Sequence, residues 1–126
     1  MLRQVHAVVA AIFVGAILIQ VFLAGLAIPQ LGGNGNFETH AGVGYLIGLI
    51  TLVLFITAIA AGMGRRRILQ SLGFVGLYVV QSSLPFMDDA GLPAVAALHP
   101  VNALVMFGLG VVYLRQVWRE RAAATA

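Results

Sequence analysis

Polar residues fall along this chain in short, separated clusters, and the intervals between them are apolar almost without a break. A helix that crosses a bilayer needs about 20 mostly apolar residues, since at 1.5 Å rise each they span about 30 Å of hydrocarbon. Four stretches meet that length, at residues 5–28, 40–62, 68–85 and 93–117. The first follows Arg3 and ends in the small residues Ala24, Gly25, Leu26 and Ala27, as a signal peptide would. Its apolar run is longer than a signal core, so it reads as a transmembrane helix. Short connections between the stretches predict an all-α, up-down-up-down four-helix bundle, one domain over residues 1–126 with no linker.

Composition leaves little room for another class. Of 126 residues, 61% are apolar and 9% charged. A small soluble domain buries only about 60–70% of its chain's surface, too little to hide so much apolar area. A soluble enzyme, a nucleic-acid binder and a disordered segment are thereby excluded, and the bilayer is the expected surrounding. The net charge of +3 comes from seven basic residues, all Arg: Arg3 before the first stretch, Arg65, Arg66 and Arg67 between the second and third, and Arg115, Arg119 and Arg121 at the end. The other two connections hold only the acids Glu38, Asp88 and Asp89. The positive-inside rule then puts both termini and the Arg triplet in the cytoplasm, so the charge reports topology rather than an acidic partner. Tyr113 and Trp118 fit an inner interfacial belt, and the tail through Ala122, Ala123 and Ala124 is expected to fray. With no Cys there is no disulfide, thiolate metal site or thiol redox couple.

The two halves of the chain resemble each other. Phe13-Val14-Gly15 precedes Gln20 at the same spacing by which Phe74-Val75-Gly76 precedes Gln81, and each Gln is followed, across a connection, by a His: His40 and His99. Two helical hairpins related by an axis along the membrane normal are implied, with both histidines at equivalent depth toward the outer face.

Polar side chains in a membrane helix are costly and usually face the bundle interior for a purpose. His6, one turn from Arg3, reads as a solvated residue at the cytoplasmic boundary, because no second His accompanies it there. His40 and His99 are different: two facing imidazoles in a four-helix bundle can take the two axial positions of one haem. Gly42 and Gly44 beside His40, with Gly15 and Gly76 in the repeat, would let a flat macrocycle approach; alternatively they are helix-packing positions. Two His with no Cys or carboxylate cluster are too few for a bare zinc or copper ion. Pro100 either kinks the last helix behind His99 or marks its first turn. Gln20 and Gln81 either bond each other or serve as donors to a ligand imidazole or propionate, with Asn102 and Tyr45 as further candidates for such contacts. The outer side offers propionates no cation, only neutral donors such as Gln30, Asn34 and Asn36.

The segments Glu38-Thr39-His40-Ala41-Gly42-Val43-Gly44-Tyr45 and Leu98-His99-Pro100-Val101-Asn102-Ala103-Leu104 resemble a family of small, uncharacterised four-helix bacterial membrane proteins with H-x-x-x-G-Y and A-L-H-P-x-N-A motifs. More distantly they are similar to one half of haem A synthase, whose four-helix halves each ligate a haem through a His on the second and fourth helices. The resemblance implies axial roles for His40 and His99 and a bacterial cytoplasmic membrane as the location. It stops short of the synthase's oxidative chemistry, since the outer-loop Cys pair is missing and Glu38 stands two residues before His40 rather than three; Glu38 reads instead as a helix-start acid.

The expected function is therefore a b-type membrane cytochrome with one haem b per chain, exchanging electrons with quinone or a larger redox complex. Alternatives are a haem carrier or sensor, or a cofactor-free membrane protein that oligomerises or binds partner helices through small-residue faces such as Gly44 and Gly48. No nucleophile, phosphate loop or paired carboxylate for hydrolysis stands out.

Overall fold

The computed structural model describes residues 1–123, which are helical nearly throughout, with no strand among the described residues. The long helices are α1 (Leu2–Ala27), α2 (Glu38–Ala60), α3 (Gly64–Ser83) and α6 (Leu98–Ala123). A 3-10 turn, Pro29–Leu31, follows α1, and two single-turn helices, α4 (Phe86–Asp89) and α5 (Pro93–Ala96), lie between α3 and α6. Three stretches are long and apolar enough to cross a membrane: Leu2–Ala27, Glu38–Ala60 and Pro93–Ala123. α3 is not among them. Its 20 residues are long enough, but it opens on Arg65, Arg66 and Arg67 and carries Gln70, Ser71, Gln81, Ser82 and Ser83.

Helix starts and stops follow local chemistry. Glu38 begins α2, where an acid favours the exposed N–H groups, and Asn36 accepts the Glu38 backbone N–H at 2.7 Å. Gly62 (φ 58°) and Gly64 (φ 77°) turn the chain between α2 and α3 through left-handed conformations that a Cβ would oppose. Pro100 is the third residue of α6, in the first turn, where a missing N–H costs no hydrogen bond. It marks the helix start. α6 runs past the expected end at 117 as far as Ala123, so the expected fraying of Ala122 and Ala123 is not seen, and Ala124 lies outside the described residues.

α1 packs on α2 and α6, and α3 on α2 and α6, so the long helices close a ring in the order α1–α2–α3–α6, with the α3–α6 seam the loosest side. Phe13, Leu54, Phe74, Met106, Tyr113 and Val117 fill the centre, where the Phe13 and Phe74 rings meet 4.9 Å apart. The outer surface carries large apolar side chains such as Ile19, Phe22, Leu49, Ile56, Leu104 and Leu109, each at least half exposed. Such a surface suits hydrocarbon rather than water.

One close approach depends on a missing side chain. A Cβ on Gly48 of α2 would lie 2.5 Å from the Tyr78 ring of α3. Gly48→Ala should therefore destabilise the bundle by about 1–3 kcal/mol, read as a lower Tm in detergent. Gly15→Ala, where an added Cβ meets nothing within 4 Å, is the control and should leave Tm unchanged or slightly raised.

Candidate functional site

The α1–α2 and α3–α6 connections lie at one end of the bundle, and the chain termini and the α2–α3 turn at the other. At the connection end, α2 and α6 place His40 and His99 in their first turns, facing each other across the ring. The imidazole centres are 6.1 Å apart, with the ring planes at 62°. His40 Nδ1 lies 3.1 Å from the backbone oxygen of Gln20, and His99 Nδ1 lies 2.9 Å from that of Gln81. A carbonyl can only accept, so in both rings Nδ1 carries the proton and the lone pair resides on Nε2.

The glutamine side chains complete the cluster differently in the two halves. Gln81 Nε2 donates to His99 Nε2 at 3.0 Å, and its Oε1 accepts from Asn102 Nδ2 at 2.8 Å. Gln20 Nε2 donates to the His40 carbonyl at 2.9 Å and rests against Gly44, where a Cβ would come within 2.9 Å of it. Gln20 Oε1 is buried with no hydrogen-bond partner among the described residues. The reason is visible in sequence: three residues after His40 stands Val43, whereas Asn102 stands three after His99. The two glutamines thus serve the histidine segments and do not bond each other.

Other expected contributors lie elsewhere. Tyr45 is 66% exposed on the outside of the bundle. A Cβ on Gly15, Gly42 or Gly76 would meet nothing within 4 Å, whereas one on Gly44 would crowd the Gln20 amide. Asn34 and Asn36 are exposed, and Asn36 Nδ2 is engaged with Glu38.

Two imidazoles that share one metal through bonds of about 2 Å have ring centres roughly 6 Å apart. The His40–His99 separation meets that requirement, and both rings are held in the tautomer that leaves Nε2 for a metal. Among the described residues no group of three or more His, Cys, Asp or Glu gathers to hold a metal ion. The donor set therefore fits an ion that brings its own equatorial ligands, as haem does. The Gln81 amide, a neutral donor on His99 Nε2, would have to let go.

A second polar cluster occupies the terminal end, and it corrects the reading of three residues. His6 is fully buried rather than solvated. Its Nδ1 lies 2.9 Å from Thr57 Oγ1 and its Nε2 2.8 Å from the Tyr113 hydroxyl. Thr57 spends its own hydrogen on the Val53 carbonyl at 2.8 Å, so Oγ1 accepts from His6 and the Tyr113 hydroxyl donates to Nε2. Tyr113 is 2% exposed, inside the core and not in an interfacial belt; Trp118 does stay half exposed, under the Arg121 guanidinium at 4.6 Å. Arg67, at 8% exposure, is no loop charge: it bonds Glu120 Oε1 through Nη2 at 2.5 Å and Gln70 Oε1 through Nη1 at 2.7 Å, and also reaches Gln116. Each was misplaced because its partner sits on another helix, and a paired polar group can be buried where a lone one cannot. The sequence does hold a hint, since Tyr113, Gln116 and Glu120 follow at helical spacing and Glu120 is the one acid within the Arg115–Arg121 cluster.

No curated protein and no solved structure matches the chain, and nothing found bears out the distant likeness to haem A synthase. A family model does match, over residues 20–86, just over half of the chain; it takes in Gln20, His40 and Gln81 and ends before His99. The chain belongs to that family, DUF6220, a family of unknown function.

Proposed function

We propose that the chain is a b-type cytochrome of the bacterial cytoplasmic membrane, in which His40 and His99 hold one haem b near the outer face. The observation that carries this reading is the facing pair itself, 6.1 Å apart with both Nδ1 atoms on backbone carbonyls. Haem bound there supplies a one-electron centre. The residues around it do the rest. The Gln20 and Gln81 carbonyls orient the rings and raise the donor strength of Nε2. Phe13 and Phe74, about 10 Å of helix rise below the glutamines, close the bundle centre to water from beneath. With His40 and His99 both holding it, such a group would serve electron passage to a quinone or a larger redox complex rather than oxygenase chemistry.

The same proposal takes all four long helices as membrane spans, with both termini in the cytoplasm. Every Arg lies at the terminal end or in the flanking turns, and Arg67 and Gln81 of α3 find partners on α6 inside the bundle. Equivalent residues of the two hairpins also meet one another, Phe13 with Phe74 and His40 with His99, as a two-fold axis along the membrane normal requires. His6–Thr57 and Arg67–Gln116 are equivalent bonds in the two halves.

Two measurements test these points. The purified protein, expressed with haem supply, should show a cytochrome spectrum that sharpens on dithionite reduction; a colourless, well-folded protein overturns the cofactor assignment. A reporter fused after Ala126 should be active only if it functions in the cytoplasm, and activity of a periplasm-dependent reporter at that site overturns the topology.

A further inference from the structure

The loosest side of the bundle, between α3 and α6, contains a cavity of about 220 Å³ lined by Gln70, Gly73, Phe74 and Leu77 from one helix and Leu109 and Val112 from the other. Leu109 and Val112 are each 50% exposed on the outer surface, so the cavity opens sideways toward hydrocarbon and not toward water at either end. Gly73 opens onto it: a Cβ there would meet nothing within 4 Å. At about 30 Å³ per water, the volume equals roughly seven waters, the size of one substituted six-membered ring rather than an acyl chain.

One polar group is aimed by its neighbour. The Arg67 guanidinium holds Gln70 Oε1 at 2.7 Å, which fixes which way the amide faces. Gln70 Nε2 has no hydrogen-bond partner among the described residues, and a donor left unpaired beside an apolar, bilayer-facing cavity is costly. Phe74, one helical turn further along α3, lines the cavity beside it.

We infer that this seam binds the ring of a lipid-soluble quinone, entering from the bilayer, with a ring carbonyl accepting from Gln70 Nε2 and the ring lying against Phe74. An apolar body, a ring-sized head and a carbonyl acceptor are what the cavity demands; simple ions lack all three, and sugars and nucleotides lack the apolar body. The choice of a redox-active ring rests on the proposed cytochrome; the cavity itself uses neither His40 nor His99.

The test is binding of a short-chain quinone, decylubiquinone, to the purified holoprotein in detergent by equilibrium dialysis. Saturable binding of one quinone per chain is expected, weakened at least tenfold by Gly73→Leu, which fills the cavity, and by Gln70→Leu, which removes the donor. Should Gly73→Leu fail to fold, Leu109→Trp blocks the seam from the opposite wall. Both cavity variants should keep the haem spectrum of the unaltered protein. Unchanged affinity in the cavity variants overturns the inference, as does binding lost on His40→Ala but kept in Gly73→Leu, or a cavity from which solvent extraction recovers phospholipid that quinone does not displace. A colourless protein that still binds quinone in a Gly73-sensitive way overturns the cytochrome alone, whereas a haem protein with no such binding overturns this site alone.

Discussion

Alanine at either His40 or His99 should remove the sharp α and β bands of the reduced protein and leave high-spin or no haem. The two imidazoles face each other from α2 and α6 with centres 6.1 Å apart, and either variant would leave a single His to hold the group. His99→Ala also strands the Gln81 amide, whereas His40→Ala frees only the Gln20 carbonyl, so the His99 variant should be the less stable of the two as apoprotein. His6→Ala is the informative control. It lies about 20 Å of helix rise from the level of Gln20, too far to touch the pair, so the spectrum should be unchanged. Its Tm should nevertheless fall, by about 1–3 kcal/mol of stability, because the buried Tyr113 hydroxyl loses its acceptor. Haem itself should add RT ln(1 + [L]/Kd) to the stability, read as a higher Tm, an increment absent from the His40 and His99 variants. The assignment fails if His6→Ala erases the bands as completely as the other two.

The second large effect is expected at the opposite end. Glu120→Ala leaves the Arg67 guanidinium nearly buried without its counter-charge, held only by Gln70 and Gln116. Breaking a buried pair from one side typically costs about 3–5 kcal/mol; with Glu120 41% exposed, about 2–3 kcal/mol is the expected loss. Replacing both partners, Arg67→Met with Glu120→Leu, should restore most of that stability, since no unpaired charge remains. Unfolding by denaturing detergent checks this; equal losses in the single and double variants would refute the pairing.

The contrast between the two ends shows what a sequence of this kind reveals. The connection-end cluster was legible because its signal is local and repeated: Phe13-Val14-Gly15 to Gln20 to His40 has its counterpart in Phe74-Val75-Gly76 to Gln81 to His99. The terminal-end cluster was not, because charge pattern dominates there. Arg67 reads as one of three topogenic arginines, and nothing in its neighbourhood announces that its partner is Glu120. Tyr113 and His6 sit where interfacial aromatics and boundary histidines usually do, and only the packing of α1 on α6 brings their side chains together. The same limit applies to the glycines: Gly48 against Tyr78 is a contact between helices, invisible in the spacing of Gly44 and Gly48 alone.

The Arg67–Glu120 bond has a consequence for how the protein is made. α3 is the long helix that falls short on apolarity, and the acid that neutralises its buried arginine lies 53 residues further along, on α6. A nascent chain therefore presents α3 to the translocon before its counter-ion has been synthesised. An arginine with no partner raises the insertion cost of a helix by up to about 2.5–3.5 kcal/mol at mid-membrane and less near its end, enough to hold a marginal segment at the interface. In the proposed topology, α3 thus waits at the membrane surface for α6, and the two helices partition into the lipid as a pair; a ribosome stalled before Glu120 would leave α1 and α2 inserted and α3 still outside the hydrocarbon.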